Sequence, residues 1–211
     1  MVRLARGSLP WLAGPPVVAF LFAAIGRRTG TDVWYWLSIG AMLVFLFFLA
    51  FFRDPQRVVA NGLASPADGK VRAMETVVDA DVGAADLLSI FMSPKDVHVN
   101  RMPLDGTVLA VLHFPGSHVP AFKKESERNE RVEVLLDTAI GRVKVTLIAG
   151  TVARRIVPYI EEGQRLAKGQ RIALIRFGSR CDLLVPEGRI RWKAHAGDQV
   201  QAAATSLGDL A

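Results

Sequence analysis

The chain has one cysteine, four histidines and two tyrosines in 211 residues. A single thiol closes no internal disulfide and makes no thiolate metal site. Heptad runs, low-complexity tracts and a dinucleotide-binding glycine fingerprint are also missing. Acidic residues are scarce at the N-terminus. Residues 1–57 hold only Asp32 and Asp54 against Arg3, Arg6, Arg27, Arg28, Arg53 and Arg57, which is +4 of the chain's total of +6. The basic excess therefore flanks apolar sequence. It reads as a topology signal and an attraction for anionic headgroups, not as the footprint of a nucleic-acid partner.

Hydrophobic residues make up 51% of the chain, and the surplus is local. Residues 9–52 are almost continuously apolar, interrupted only by GRRTGTD at 26–32. Two segments follow, roughly 10–25 and 34–52. The second is long enough to cross ~30 Å of hydrocarbon, and the first falls a few residues short. Arginines on both outer flanks predict a transmembrane helical hairpin with both ends cytoplasmic, in a cell (inner) membrane. Trp34, Tyr35 and Trp36 suit an interfacial belt. A cleaved signal peptide fits poorly, because there are two segments and no small-residue cleavage pattern before FFRDPQR. Pro55 cannot continue a helix and ends the anchor. The expected division is 1–57 for the membrane anchor and 58–211 for a β-rich domain.

That second part reads as mainly β, with minor α+β character. KVRAMETVV, LLSIFM, GTVLAVLHF, RVEVLLD, GRVKVTLIAG, RIALIRF and CDLLVP are short β-branched runs separated by Gly, Pro and Asp. RVEVLLD and GRVKVTLI form a hairpin about Thr138 to Gly141. The charge-rich VPAFKKESERNER, 119–131, is a loop or short helix. A weak repeat links EEGQRLAKGQRIALI with HAGDQVQAAATSL: Gly163 and Gly169 match Gly197 and Ala203. Such glycine turns suggest a compact β-sheet domain with lipoyl-like hairpins.

Three stretches carry chemistry. SPADGK, 65–70, puts Asp68 in a turn, where Asp often bonds its own backbone and a rigid carboxylate can also serve as a base or orient one. SPKDVHVNRMPLDG, 93–106, holds His98 in an extended segment with Asp96, Asn100 and Arg101 nearby. Its imidazole can give or take protons near neutral pH. His113 and His118 match neither a zinc set nor a triad, and His195 belongs to an exposed turn. RFGSRCDLLVP, 176–186, places Gly178-Ser179 between two apolar runs. It fits neither G-x-S-x-G nor S-x-x-K, so the serine is no ordinary hydrolase nucleophile by motif. A hydroxyl attacks its preceding carbonyl only where the backbone is strained and a base lies near.

In order and spacing, FRDPQR, SPADGK, SPKDVHVNRMPLDG, the segment from PG to ERNER and RFGSRCDLLVP resemble a phosphatidylserine decarboxylase of the short bacterial and archaeal type. The resemblance implies a zymogen that cuts itself at Gly178-Ser179 into a β chain, 1–178, and an α chain, 179–211, which stay together as a heterodimer. The Ser179 hydroxyl attacks the Gly178 carbonyl, the ester eliminates, and Ser179 becomes an N-terminal pyruvoyl group. That covalent cofactor forms a Schiff base with the serine headgroup of phosphatidylserine and acts as an electron sink. Carbon dioxide leaves and phosphatidylethanolamine results. By the same resemblance His98 handles the substrate's protons and Asp68 assists self-cleavage. No metal and no diffusible cofactor is implied.

Longer members carry a second histidine where this chain has Arg101, and LGST where it has FGSR. Three sources for the self-cleavage base stay open: His98 in both steps, His113 as a substitute, or strain together with Asp68. Two readings from other classes compete. A non-catalytic, membrane-anchored lipoyl-like adaptor leaves SPADGK, His98 and Gly178-Ser179 without purpose. A membrane-bound serine hydrolase would keep Ser179 uncleaved.

Overall fold

The computed structural model describes residues 3–116, 129–150, 155–176 and 179–211. The chain separates into two compact units, Met1–Gln56 and Arg57–Ala211. In the first, two short strands, β1 (Arg3–Leu4) and β2 (Arg53–Asp54), pair antiparallel and close the base of a helical hairpin made by α1 (Leu9–Thr29) and α2 (Val33–Phe51). Pro10 lies in the first turn of α1, where its missing N–H costs nothing. The helix runs past the apolar segment through Arg27 and Arg28, whose charges suit a helix C-terminus, and stops at Gly30 with φ 65°. At ~1.5 Å per residue its 21 residues reach about 31 Å, so the helix is long enough to span although its apolar run alone is not. The helices touch through the Ser38 hydroxyl on the Ala19 carbonyl at 2.8 Å and an edge-on Trp11–Phe48 ring contact at 5.8 Å.

The second unit is built of strands: β3 (Leu63–Ala64), β4 (Gly69–Asp79), β5 (Gly83–Met92), β6 (Val99–Arg101), β7 (Gly106–Phe114), β8 (Arg131–Thr138), β9 (Gly141–Ala149), β10 (Ile156–Pro158), β11 (Arg165–Leu166), β12 (Arg171–Ile175), β13 (Ser179–Pro186), β14 (Ile190–Trp192), β15 (Gln199–Val200) and β16 (Ser206–Leu210). Eight of them form one antiparallel sheet in the order β11-β7-β8-β9-β13-β5-β4-β15. Two three-stranded sheets, β10-β12-β6 and β14-β16-β3, complete it. The protein is thus mainly β with two N-terminal apolar helices. β8 and β9 form the expected hairpin, with Thr138 opposite Gly141 at φ 104°. Most of the expected charge-rich loop, together with His118 and Gly178, lies outside the described residues.

Alternation along β13 decides what the sheet buries. Ser179, Cys181, Leu183 and Val185 are fully buried, and the last three join Leu88 and Ile90 of β5 and Val145 and Leu147 of β9 in the core. Each such aliphatic side chain contributes about 1.5–3 kcal/mol on burial. Arg180 and Asp182 take the opposite face, where Asp182 accepts Arg180 Nη2 at 2.6 Å and the Ser89 hydroxyl.

The unit is internally repeated. The main chain after PADG, 66–69, is matched by that after PLDG, 103–106. Val71 N–H donates to the Asp198 carbonyl and Val108 N–H to that of Gln164, both at 2.9 Å. Gly197 and Gly163 N–H return the bonds to Val71 and Val108. Both β4 and β7 carry a bulge at the corresponding place, Val71/Ala73 and Val108/Ala110. Gly163 and Gly169 have φ 79° and 82°; Gly197 and Ala203 follow with 104° and 62°. The C-terminal glycine pattern was therefore half of a larger repeat, whose other half stands in the sequence as PADGKVRA and PLDGTVLA.

Candidate active site

Ser179 opens β13, paired with Met92 of β5 and Ala149 of β9. Its side chain faces inward, and its hydroxyl has one partner among the described residues, the Met92 thioether at 3.5 Å. A thioether is a weak acceptor and takes no proton, so this contact does not activate the hydroxyl. Cys181, two residues on, is equally buried. Burial first, and the Asp182 charge second, push its thiol well up, which keeps it protonated and unreactive.

The segment before Ser179 is tied to the histidine strand. Ile175 N–H donates to the His98 carbonyl at 3.1 Å, and β12 pairs with β6 just beyond. His98 is completely buried, with Nδ1 2.9 Å from the Asp96 carbonyl. A carbonyl only accepts, so Nδ1 carries the proton and Nε2 is the basic nitrogen of the neutral ring. Asp96 is not a partner through its carboxylate. That group receives Ser93 N–H at 2.8 Å and the Ser93 hydroxyl at 2.6 Å, which fixes the SPKD turn leading to His98.

Beyond His98 the strand alternates. Asn100 turns to the Pro66 carbonyl and the Met92 sulfur, at 3.4 and 3.9 Å. Arg101 turns the other way and donates to the Gly169 carbonyl at 3.2 Å. Arg101 N–H donates to the Pro66 carbonyl at 2.9 Å, which ties SPADGK to the same strand. SPADGK, DVHVNR and the strand leading to Ser179 thus converge.

Asp68 is at this junction but is already committed. All its hydrogen bonds among the described residues come from Arg57, which grips both carboxylate oxygens, and from Ala202 N–H at 2.8 Å. Asp68 directly precedes β4, which is separated from β13 by β5 in the sheet. The ion pair is largely buried, with about a tenth of each side chain exposed. His113 does not reach the site. It is exposed, pairs with Glu130 at 3.1 Å, and lies three strands from Cys181 in one row of the sheet, about 14 Å. His195 is exposed, as expected of its turn. Among the described residues no group of three or more His, Cys, Asp or Glu could hold a metal ion. Sequence reasoning missed Arg57 and Met92, since neither has a local signal.

The sequence profile of phosphatidylserine decarboxylase matches residues 44–208, the stretch that contains all three converging segments. The chain belongs to the phosphatidylserine decarboxylase family. It is accordingly a lyase, and its relatives bear out that assignment. A phosphatidylserine decarboxylase proenzyme of Streptomyces griseus is 48% identical over 188 residues, 89% of this chain and 85% of its own. Its namesake in Streptomyces coelicolor is 45% identical over 207 residues, 98% and 92% of the two chains. A chain of Methanococcoides burtonii, 39% identical over 208 residues (97% and 95%), carries a provisional archaetidylserine decarboxylase proenzyme name. Within this phosphatidylserine decarboxylase fold, Ser179 and Asn100 share the Met92 sulfur, His98 lies two residues before Asn100 in the chain, and Asp68 and Arg101 hold backbone.

Proposed function

We propose that the chain is a zymogen that cuts itself between Gly178 and Ser179 and then decarboxylates phosphatidylserine to phosphatidylethanolamine. The observation that carries this reading is the Ser179 hydroxyl, buried at the head of a core strand with a thioether as its one partner among the described residues. A structural serine at such a place would bond a carbonyl, and a hydrolase serine would bond a base. A precursor serine needs neither for stability. In self-cleavage Oγ attacks the Gly178 carbonyl and the Ser179 nitrogen leaves. Elimination then releases a chain ending in the Gly178 carboxylate, and hydrolysis with loss of ammonia leaves a pyruvoyl group on residues 179–211.

The residues around Ser179 fit that group: the Met92 sulfur beside it and the dry aliphatic core of the sheet around it. When formed, it supplies a carbonyl that holds the substrate's amine and receives the electrons left by departing carbon dioxide. His98 is the proton donor and acceptor in this scheme, through Nε2, because Nδ1 is occupied by the Asp96 carbonyl. Asp68 assists self-cleavage by holding the SPADGK turn through Arg57 and Ala202. The paired glycine turns follow a lipoyl-like plan. The apolar hairpin is the membrane anchor for a lipid substrate, with the catalytic unit on the cytoplasmic side, and the two fragments remain a heterodimer.

Intact-mass analysis of the purified chain is the test. It should give two fragments, the smaller beginning with a pyruvoyl-blocked residue 179. A single 23.0 kDa species from active protein would falsify the reading. Ser179→Ala should abolish both the cut and the activity.

A further inference from the structure

Asn100 is fully buried, yet its carboxamide oxygen accepts no hydrogen bond among the described residues. Its nitrogen faces the Pro66 carbonyl and the Met92 thioether, and both of these only accept. Chemistry therefore fixes the orientation of the amide, and the oxygen is left as the open end. Native interiors seldom leave such an acceptor unmade. The same sulfur accepts the Ser179 hydroxyl, so Asn100 and Ser179 flank one atom.

The internal repeat shows that the fold does not require a polar residue here. In the first half, Leu63 pairs with Gly208 where Asn100 pairs with Ala173, and Leu63 is wholly buried in the core. A leucine serves the packing at that place. An asparagine with an empty acceptor serves something that brings a donor.

We propose that the Asn100 oxygen accepts an N–H from the amine of the substrate's headgroup and holds that amine beside residue 179. This rests on the reading of Ser179 above. A serine headgroup presents three polar groups. Its carboxylate and phosphodiester only accept, and a buried carbonyl oxygen repels both; its amine donates. Asn100 thus selects the end of the headgroup that enters first. It acts on binding and orientation, while bond-breaking is left to residue 179 and His98.

The test uses the full chain in detergent, as wild type, Asn100→Leu and Asn100→Asp. Intact mass follows self-cleavage. Capture of dihexanoylphosphatidylserine, fixed by cyanoborohydride, is read as added mass on fragment 179–211 against lipid concentration. All three chains should cut themselves alike. Asn100→Leu should need about tenfold more lipid for half-capture, and Asn100→Asp, which keeps the acceptor but loses the donor to the Pro66 carbonyl, should fall between Asn100→Leu and wild type. Capture by Asn100→Leu at the wild-type concentration overturns the proposal. So does an uncut Asn100→Leu chain, since Asn100 would then act in maturation or folding. A wild-type chain that neither cuts nor captures defeats the Ser179 reading instead, and the two failures are told apart by the wild-type lane.

Discussion

PADG at 66–69 and PLDG at 103–106 are the same turn used twice. In each, the aspartate accepts a backbone N–H from the facing C-terminal turn: Ala202 to Asp68 at 2.8 Å, Lys168 to Asp105 at 2.7 Å. In each, the following glycine lies so close to the next strand that a Cβ would meet a carbonyl oxygen, Phe91 at 2.2 Å or Asp137 at 2.5 Å. The difference lies in what surrounds them. Asp105 is exposed, whereas Asp68 is buried and gripped by Arg57. The bond to the facing turn is thus the fold's own requirement. What the first copy adds is the arginine, which turns a surface cap into a buried ion pair.

The largest expected effect follows from that addition. Asp68→Ala leaves the Arg57 guanidinium buried without its partner and should cost about 3–5 kcal/mol. Asp105→Ala loses one exposed cap and should cost about 1 kcal/mol. Thermal unfolding measured in a Ser179→Ala background keeps both chains uncut. The two midpoints should then fall by about 10 °C and about 3 °C. Equal shifts would erase the distinction between the copies.

Self-cleavage sharpens the same comparison. Arg57→Ala and Asp68→Ala should slow the appearance of the 179–211 fragment together, each by at least about tenfold, because either leaves the SPADGK turn unclamped. Asp105→Ala should leave the rate within about twofold. A slow Asp68→Ala beside a normal Arg57→Ala would mean that the carboxylate acts by itself, not through its pair.

Much of this was legible in the sequence because it is written locally. Alternating β-branched runs announced β7, β8 and β9, and the glycine turns announced half of the repeat. Ser179 and His98 stood in recognisable segments, and the strand that precedes Ser179 is bonded to the His98 main chain. Arg57 was read only as a flanking charge. Its partner is set by packing of the turn at 66–69, and an ion pair between residues 11 apart has no periodic signature. Met92 looked like any strand methionine until register put it opposite Ser179. Asp68 shows a second limit: its residue type reads as a carboxylate that serves as a base or orients one, and only the structure adds that Arg57 and Ala202 hold it.

The smallest effect tests how far the two copies are the same object. Gly169 and Ala203 occupy matching places, and both N–H groups donate to the facing turn, to Met102 at 2.9 Å and Ser65 at 2.8 Å. Both have positive φ, 82° and 62°, but only one has the residue that adopts it without strain. At Gly169 a Cβ would lie 2.6 Å from Val59 Cγ2, so Gly169→Ala adds a clash to a left-handed penalty and should cost about 1–3 kcal/mol. Ala203 already bears that penalty. Ala203→Gly relieves about 1–2 kcal/mol of it and gives back part in the entropy of the unfolded chain, for a net gain near ~0.5–1 kcal/mol. A rise of about 1–3 °C in the Ser179→Ala background is the expected result. A fall would mean that the Ala203 methyl, fully buried, packs well enough to outweigh its backbone strain, and that the copy next to the site has been tuned away from its twin.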